Sequence, residues 1–220
     1  MKDVLKYGTV LMSAIALAGC CNDDCKKQEA ACCTATTELT QEQAVMDNIL
    51  SRRSIRNYTT EPVNREQMAK VLECGIYAPN AMNAQTWAVR VVDAPDFIEG
   101  ITKIAVEANP SIAEQEGFRN IFRNAPTVAF VAAPEQSYSG EYDCGLLSEN
   151  MMLAAWSMGI GSCCLGSIVP IMQMEEAKPY MERLQLPEGY KLLVGIAFGY
   201  PEGDTPQAPA RDASKAYYVE

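Results

Sequence analysis

The sequence predicts an α+β sandwich, and three observations carry that expectation. The near-continuous apolar run 127–133 (TVAFVAA) has the pattern of a strand buried on both faces, and 191–200 (KLLVGIAFGY) reads as a core strand. The stretch 141–158 is apolar almost all round but of helical length, the pattern of a central, buried helix. Helical and strand patterns then mix without the regular alternation that builds a doubly wound sheet. The 220 residues suffice for one medium domain and a tail, and 48% hydrophobic with 21% charged residues is ordinary for a globular chain.

Taken in order, the elements have recognisable starts and stops. Thr40-Gln41-Glu42-Gln43 has the form of a capping box, followed by apolar Val45, Met46, Ile49 and Leu50. The predicted helix runs into 51–58 (SRRSIRNY). A second helix starts at 64–67 (NREQ) and reaches about Tyr77, with Met68, Val71, Leu72 and Ile76 on one face. The run 86–92 (TWAVRVV) reads as a strand, 96–108 as a helix, and 114–123 as a weaker helix. After the strand at 127–133 and the central helix, 159–162 (GIGS) breaks the pattern before a short strand at 163–166. The stretch 170–184 reads as helical, and 191–200 as the final core strand. From Pro201 the chain is rich in Pro, Gly, Asp and Ala, and it closes on Tyr217, Tyr218 and Val219.

Charge and composition narrow the function. A formal net charge of −10 argues against a nucleic-acid surface. The chain has no histidine, which excludes Ser-His-Asp and Cys-His catalysis and any His-ligated metal. Against this acidic background Arg52, Arg53 and Arg56 crowd into five positions. They repel one another unless an anion lies between them; the alternative is a solvated helix end, where positive charge is favoured.

The N-terminal residues are expected to lie outside the folded domain. A short basic region precedes the apolar run 10–18 (VLMSAIALA), too short for a membrane span. It ends in Leu17-Ala18-Gly19-Cys20, which resembles the lipobox of bacterial lipoproteins. That resemblance implies a signal peptide at 1–19, lipidation of Cys20, and an exported protein anchored on the periplasmic or outer-surface face of a membrane. Residues 20–39, with Cys20, Cys21, Cys25, Cys32 and Cys33, read as a flexible tether whose cysteines match no metal motif. The domain is expected at 40–220, with Cys74, Cys144, Cys163 and Cys164 as small core residues.

Four motifs in order carry a further resemblance. They are the 51–58 segment, 78–87 (APNAMNAQTW), 143–166 (DCGLLSENMMLAAWSMGIGSCCLG) and Arg211. Together they resemble the nitroreductase-like FMN flavoproteins over residues 40–212. The resemblance implies a central antiparallel or mixed sheet flanked by helices, in an intertwined homodimer with FMN at the subunit interface. It places the FMN phosphate and ring on Arg52, Ser54 and Arg56, with the backbone of Arg53, and on Arg211. It adds Asn83 and Gln85 at the ring edge, backbone contacts at Pro79 and Asn80, and backbone N–H groups of Cys164, Leu165 and Gly166 facing flavin N5. Two positions depart from the pattern: Pro209 stands where a lysine is common, and Thr86 where a proline is usual. Phe118 and Phe122 fall in the region that often covers the flavin, and core packing is the other reading of both.

The implied activity is hydride transfer from NAD(P)H, or another donor, through FMN to a nitro-aromatic, quinone-like or similar small acceptor. No protein side chain is expected to be the catalyst, since the cofactor carries the chemistry. The competing reading is a non-catalytic or differently reacting flavin-binding lipoprotein on the same scaffold.

Overall fold

Period-two alternation along one buried strand organises the molecule. The computed structural model describes residues 39–219; the expected signal peptide, Cys20 and the tether up to residue 38 lie outside them. Four strands form an antiparallel sheet: β1 (Ala88–Val92), β2 (Thr127–Pro134), β3 (Gly161–Leu165) and β4 (Tyr190–Gly199), in the order β1-β2-β4-β3. The two apolar runs are thus the central strands, β2 and β4. Val128 and Phe130 of β2 point into a core with Ile101 and Leu165, while Ala129, Val131 and Ala133 point into another with Val71, Leu147 and Met151. A sheet with a core on each face requires apolar residues at every position, which is why no polar alternation shows in the sequence.

Helices α2 (Arg65–Ile76) and α4 (Gly140–Ser157) supply one core, and α3 (Pro95–Ala108) and α5 (Ile168–Met172) the other. The capping box forms as expected: Thr40 accepts from the Gln43 N–H at 3.2 Å, and Gln43 Oε1 accepts from the Thr40 N–H at 3.1 Å. It opens α1 (Gln41–Ser51). The Asn64 side chain caps α2, accepting from Glu66 at 2.8 Å.

Three expectations need correction, and one helix stays exposed. The 114–123 helix does not form. A 3₁₀ turn covers Pro110–Glu114, and beyond it Gly117, Arg123 and Asn124 adopt left-handed backbone while Asn120 and Asn124 side chains replace helical hydrogen bonds. The 170–184 helix is broken into α5, a 3₁₀ turn at Glu175–Ala177 and α6 (Lys178–Arg183), because Met174 is extended and Pro179 sits in the first turn of α6. Helix α1 buries none of its residues within the chain, and Val45, Met46, Ile49 and Leu50 are each at least half exposed. Of the four domain cysteines only Cys144 and Cys163 are core; Cys74 and Cys164 are exposed.

Candidate functional site

The arginine-rich segment leaves α1 and lies along β3, an edge strand. The Ile55 N–H donates to the Ser162 carbonyl at 3.0 Å, and Ser54 makes a parallel bridge with Ser162. This approach needs bare backbone on β3, since a Cβ at Gly161 would stand 2.8 Å from Ile55 Cγ1 and 2.9 Å from Ile55 Cβ. Ile55 itself is buried, and the Tyr58 hydroxyl donates to its carbonyl at 2.6 Å. Burial, with a smaller contribution from Cys163, pushes the Tyr58 phenol far above its ordinary pKa. Beyond the contact at Ser162 the segment turns back toward the Gly161 end of β3, where Tyr58 bridges Pro201 and the Thr59 N–H donates to the Tyr200 carbonyl at 2.9 Å. Arg56, between the two contacts, shares a cleft with Ser167, the residue after Gly166.

The three arginines do different things. Arg53 turns back on α1, its Nη1 donating to the carbonyls of Leu50 and Arg52, both at 2.7 Å. Its Nη1 is thus engaged at the end of α1, while among the described residues its Nε and Nη2 make no hydrogen bond. Arg52 is half-buried against α4, with Nε 3.3 Å from Glu149 Oε1. That nitrogen is nonetheless buried without a hydrogen-bond partner, since the pair is close but not aligned. Arg56 is exposed and spends one bond, Nη1 to the Ser54 carbonyl at 3.2 Å, leaving the rest of its guanidinium turned to a cleft.

Cys164 is the exposed position of an otherwise buried β3. Its sulfur lies 3.7 Å from Met152 Sδ. Partial burial of the sulfur, then Cys163 and Glu149, raise the thiol pKa, and Arg52 opposes them. The thiol stays protonated near neutral pH and is a poor nucleophile. Leu165 is buried in the core, so only its backbone is available. Gly166 is exposed, and a Cβ added there would meet nothing within 4 Å. A cleft of about 450 Å³ runs beside Cys164 along α4, past Gly145, Ser148 and Met152.

Arg52, Ser54, Arg56, Cys164, Leu165 and Gly166 thus come together, but the 79–85 loop and Arg211 do not join them. In that loop Asn80 Oδ1 accepts from the Gln85 N–H at 2.9 Å and Asn83 Oδ1 from Gln85 Nε2 at 3.4 Å. Met82, Asn83 and Gln85 have φ of 52°, 53° and 51°, so the loop is tightly wound. It docks on Asp143, whose Oδ1 accepts from the Ala81 N–H at 3.2 Å and whose Oδ2 accepts from Ser139 Oγ at 2.8 Å. Pro79 is exposed beside it. Asp143 holds the loop and Glu149 the arginine, and six helical residues separate them by about 9 Å along α4 and roughly 120° around it. Among the described residues no hydrogen bond joins the two groups. Among the described residues Arg211 bonds only the Pro209 carbonyl, at 3.2 Å, within an exposed C-terminal segment.

Phe122 is fully buried, edge-on to Phe130 at 6.1 Å, and is core. Phe118 is half-buried and lines a second cleft, of about 430 Å³, together with Arg56. Sequence reasoning passed over Asp143 and Glu149. Their signal was available: a carboxylate in a buried, largely apolar helix needs a partner.

Residues 49–200 match the model of the Nitroreductase family. The chain is 30% identical over 176 residues to an NADPH-flavin oxidoreductase of Vibrio harveyi, covering 75% of this chain and 70% of that protein. Among solved structures it is similar to a nitroreductase with bound FMN from Bacteroides fragilis, at 27% identity and a TM-score of 0.70, covering 80% of this chain and 98% of the other. A nitroreductase with bound FMN from Desulfitobacterium hafniense gives 28% and 0.71 over the same shares, 80% and 98%.

Proposed function

This chain belongs to the nitroreductase family, and from that premise we propose that it is an FMN-dependent NAD(P)H oxidoreductase whose cofactor lies on the 52–56 segment and β3. The observation that carries the placement is the bonding of that segment to β3 at Ser162, with a cleft that Arg56 shares with Ser167, next to the open backbone at Gly166. The residues present fit a phosphorylated flavin. Arg52 keeps a buried donor unused, Arg56 leaves most of its fork free, and planar forks suit phosphate oxygens. The Glu149 carboxylate beside Arg52 and the proline at 209 reduce the positive charge offered to that phosphate.

When bound, FMN supplies hydride acceptance from a reduced nicotinamide and delivery to a small nitro-aromatic or quinone-like acceptor. The chain's own part is to hold and polarise. Arg52, Ser54 and Arg56 would hold the phosphate and ring edge, and the N–H groups at 164–166 would serve the ring as fixed donors that favour added negative charge.

We further propose that two copies complete each site. The half-exposed apolar face of α1, the exposed Tyr217 and Tyr218, and the isolation of Arg211 and the 79–85 loop from Arg52 all support it. Asn80, Asn83, Gln85 and Arg211 would then act across the subunit boundary. Leu17-Ala18-Gly19-Cys20 supports lipid anchoring of an exported protein, for which a membrane quinol or another flavoprotein is the alternative donor.

The test is the visible spectrum of the purified protein with added FMN, followed by anaerobic NADH or NADPH. A bound-flavin spectrum that bleaches is expected, and Arg56→Ala should lower flavin retention at least tenfold, roughly the value of one charge-assisted hydrogen bond. A protein that stays colourless with excess FMN refutes the reading. Bound flavin that only a quinol reduces would reassign the donor.

A further inference from the structure

The second cleft is the place where Arg56 and the residue after Gly166 meet. Arg56 and Ser167 form one side of it, and Phe118, Ile121 and Ile171 give it an apolar wall. At about 430 Å³ it is large enough for a ring-sized ligand. Arg123 also lines it, and among the described residues its guanidinium makes no ion pair or hydrogen bond. With Glu116 the only carboxylate among the described residues on its walls, the cleft has a positive excess in a chain of net charge −10.

The backbone that presents Arg123 is held against its own preference. Arg123 and Asn124 have φ of 58° and 66°, consecutive left-handed positions that lack glycine. Asn124 enforces them: its Oδ1 accepts from the N–H groups of Arg119 at 2.7 Å and Asn120 at 3.2 Å, and its Nδ2 donates to the Gly117 carbonyl at 2.9 Å. A fourth bond, 3.4 Å to Asn57 Oδ1, ties this loop to the residue after Arg56. Strain of this kind persists only where the surroundings over-determine it, and it concentrates at ligand sites.

We propose that this cleft is the acceptor subsite and that it selects planar, apolar acceptors carrying an anionic group, with Arg123 as the specificity-determining residue. The inference rests on the flavin placement above, because Arg56 and Ser167 are what set the cleft beside the proposed ring. The phenyl and isoleucine walls take the ring of the acceptor. Arg123 takes its carboxylate, and Arg56 adds field without being needed for the contact. A neutral acceptor of the same shape gains the walls alone.

The experiment compares 4-nitrobenzoate with nitrobenzene on the wild-type protein, Arg123→Ala and Arg123→Lys. With bound flavin reduced by dithionite, so that no nicotinamide is present, reoxidation by 4-nitrobenzoate is expected to slow about tenfold in Arg123→Ala and to recover partly in Arg123→Lys. Reoxidation by nitrobenzene should be unchanged. Equal slowing of both acceptors, or of neither, overturns the inference. Slowing only of the NAD(P)H half-reaction would also overturn it, assigning Arg123 to the donor's phosphates instead. If no flavin binds, the proposed function fails separately. Equilibrium dialysis of 4-nitrobenzoate against the flavin-free wild-type and Arg123→Ala proteins then decides, and equal binding overturns the inference.

Discussion

Gly161→Ala tests the idea that one missing side chain lets the arginine segment reach the sheet. The new methyl would stand 2.8, 2.9 and 3.1 Å from Ile55 Cγ1, Cβ and Cγ2. These atoms belong to a β-branched side chain with 3% exposure, so rotation about χ1 replaces one clash with another. Relief must come from moving residues 54–56 off β3. Overpacking of this sort costs about 1–3 kcal/mol, and loss of the 3.0 Å bond from Ile55 to Ser162 adds about 1 kcal/mol. For a domain of this size the sum, roughly 2–4 kcal/mol, lowers Tm by about 5–15 °C. Because Arg52 and Arg56 flank the displaced residue, FMN affinity should fall with stability, by about tenfold or more. Thermal unfolding by circular dichroism and a titration followed by flavin fluorescence read the two effects. A variant that melts within about 2 °C of wild type and binds FMN equally well would refute the argument, for the segment would then not be pinned where the structure places it.

Two further outcomes separate binding from folding. Gly166→Ala adds a methyl to open space at a position without positive φ, so stability should change by less than about 0.5 kcal/mol, while FMN binding weakens severalfold if the flavin approaches that backbone; a calorimetric melt beside a flavin titration checks both. Alkaline pH should destabilise the fold. The Cys144 thiol, pushed up from 9.0 to about 11 by burial and the Asp143 charge, keeps its proton in the folded state while the unfolded thiol loses it. Its contribution, at most about 2–3 kcal/mol, is complete below pH 9 and is lost as pH rises to about 11. Tyr58, raised in the same direction, adds to the loss above its ordinary range. Urea midpoints across this window should fall more steeply in wild type than in Cys144→Ala, and equal slopes would show that Cys144 does not titrate as described.

Local chemistry was legible wherever its partner lies within a few residues. The capping box at Thr40 is such a case, as are the Asn64 cap and the two apolar central strands. Where side chains replace main-chain hydrogen bonds, propensity misled. The apolar spacing in 114–123 suggests a helix, but Asn120 and Asn124 bond the backbone themselves and two left-handed residues stop propagation. The 170–184 stretch failed at Met174, whose extended backbone admits a turn before Pro179.

At the site the same division holds. The sequence by itself determined which residues are competent to hold an anion, since only Arg has the fork and Arg52, Ser54 and Arg56 stand too close for an empty cluster to be comfortable. Where each fork points, however, is set by tertiary contacts. Arg53 gives its Nη1 to the end of α1, Arg52 lies beside Glu149 from α4, and of the three Arg56 alone lines a described cleft. No spacing rule connects residue 52 with 149, or Arg123 with Ser167, because such pairs meet only when distant elements pack. The physical reason is range. Capping and strand alternation act over neighbours in the chain, whereas charge pairing and cleft shape act through space that only the assembled sheet and helices define.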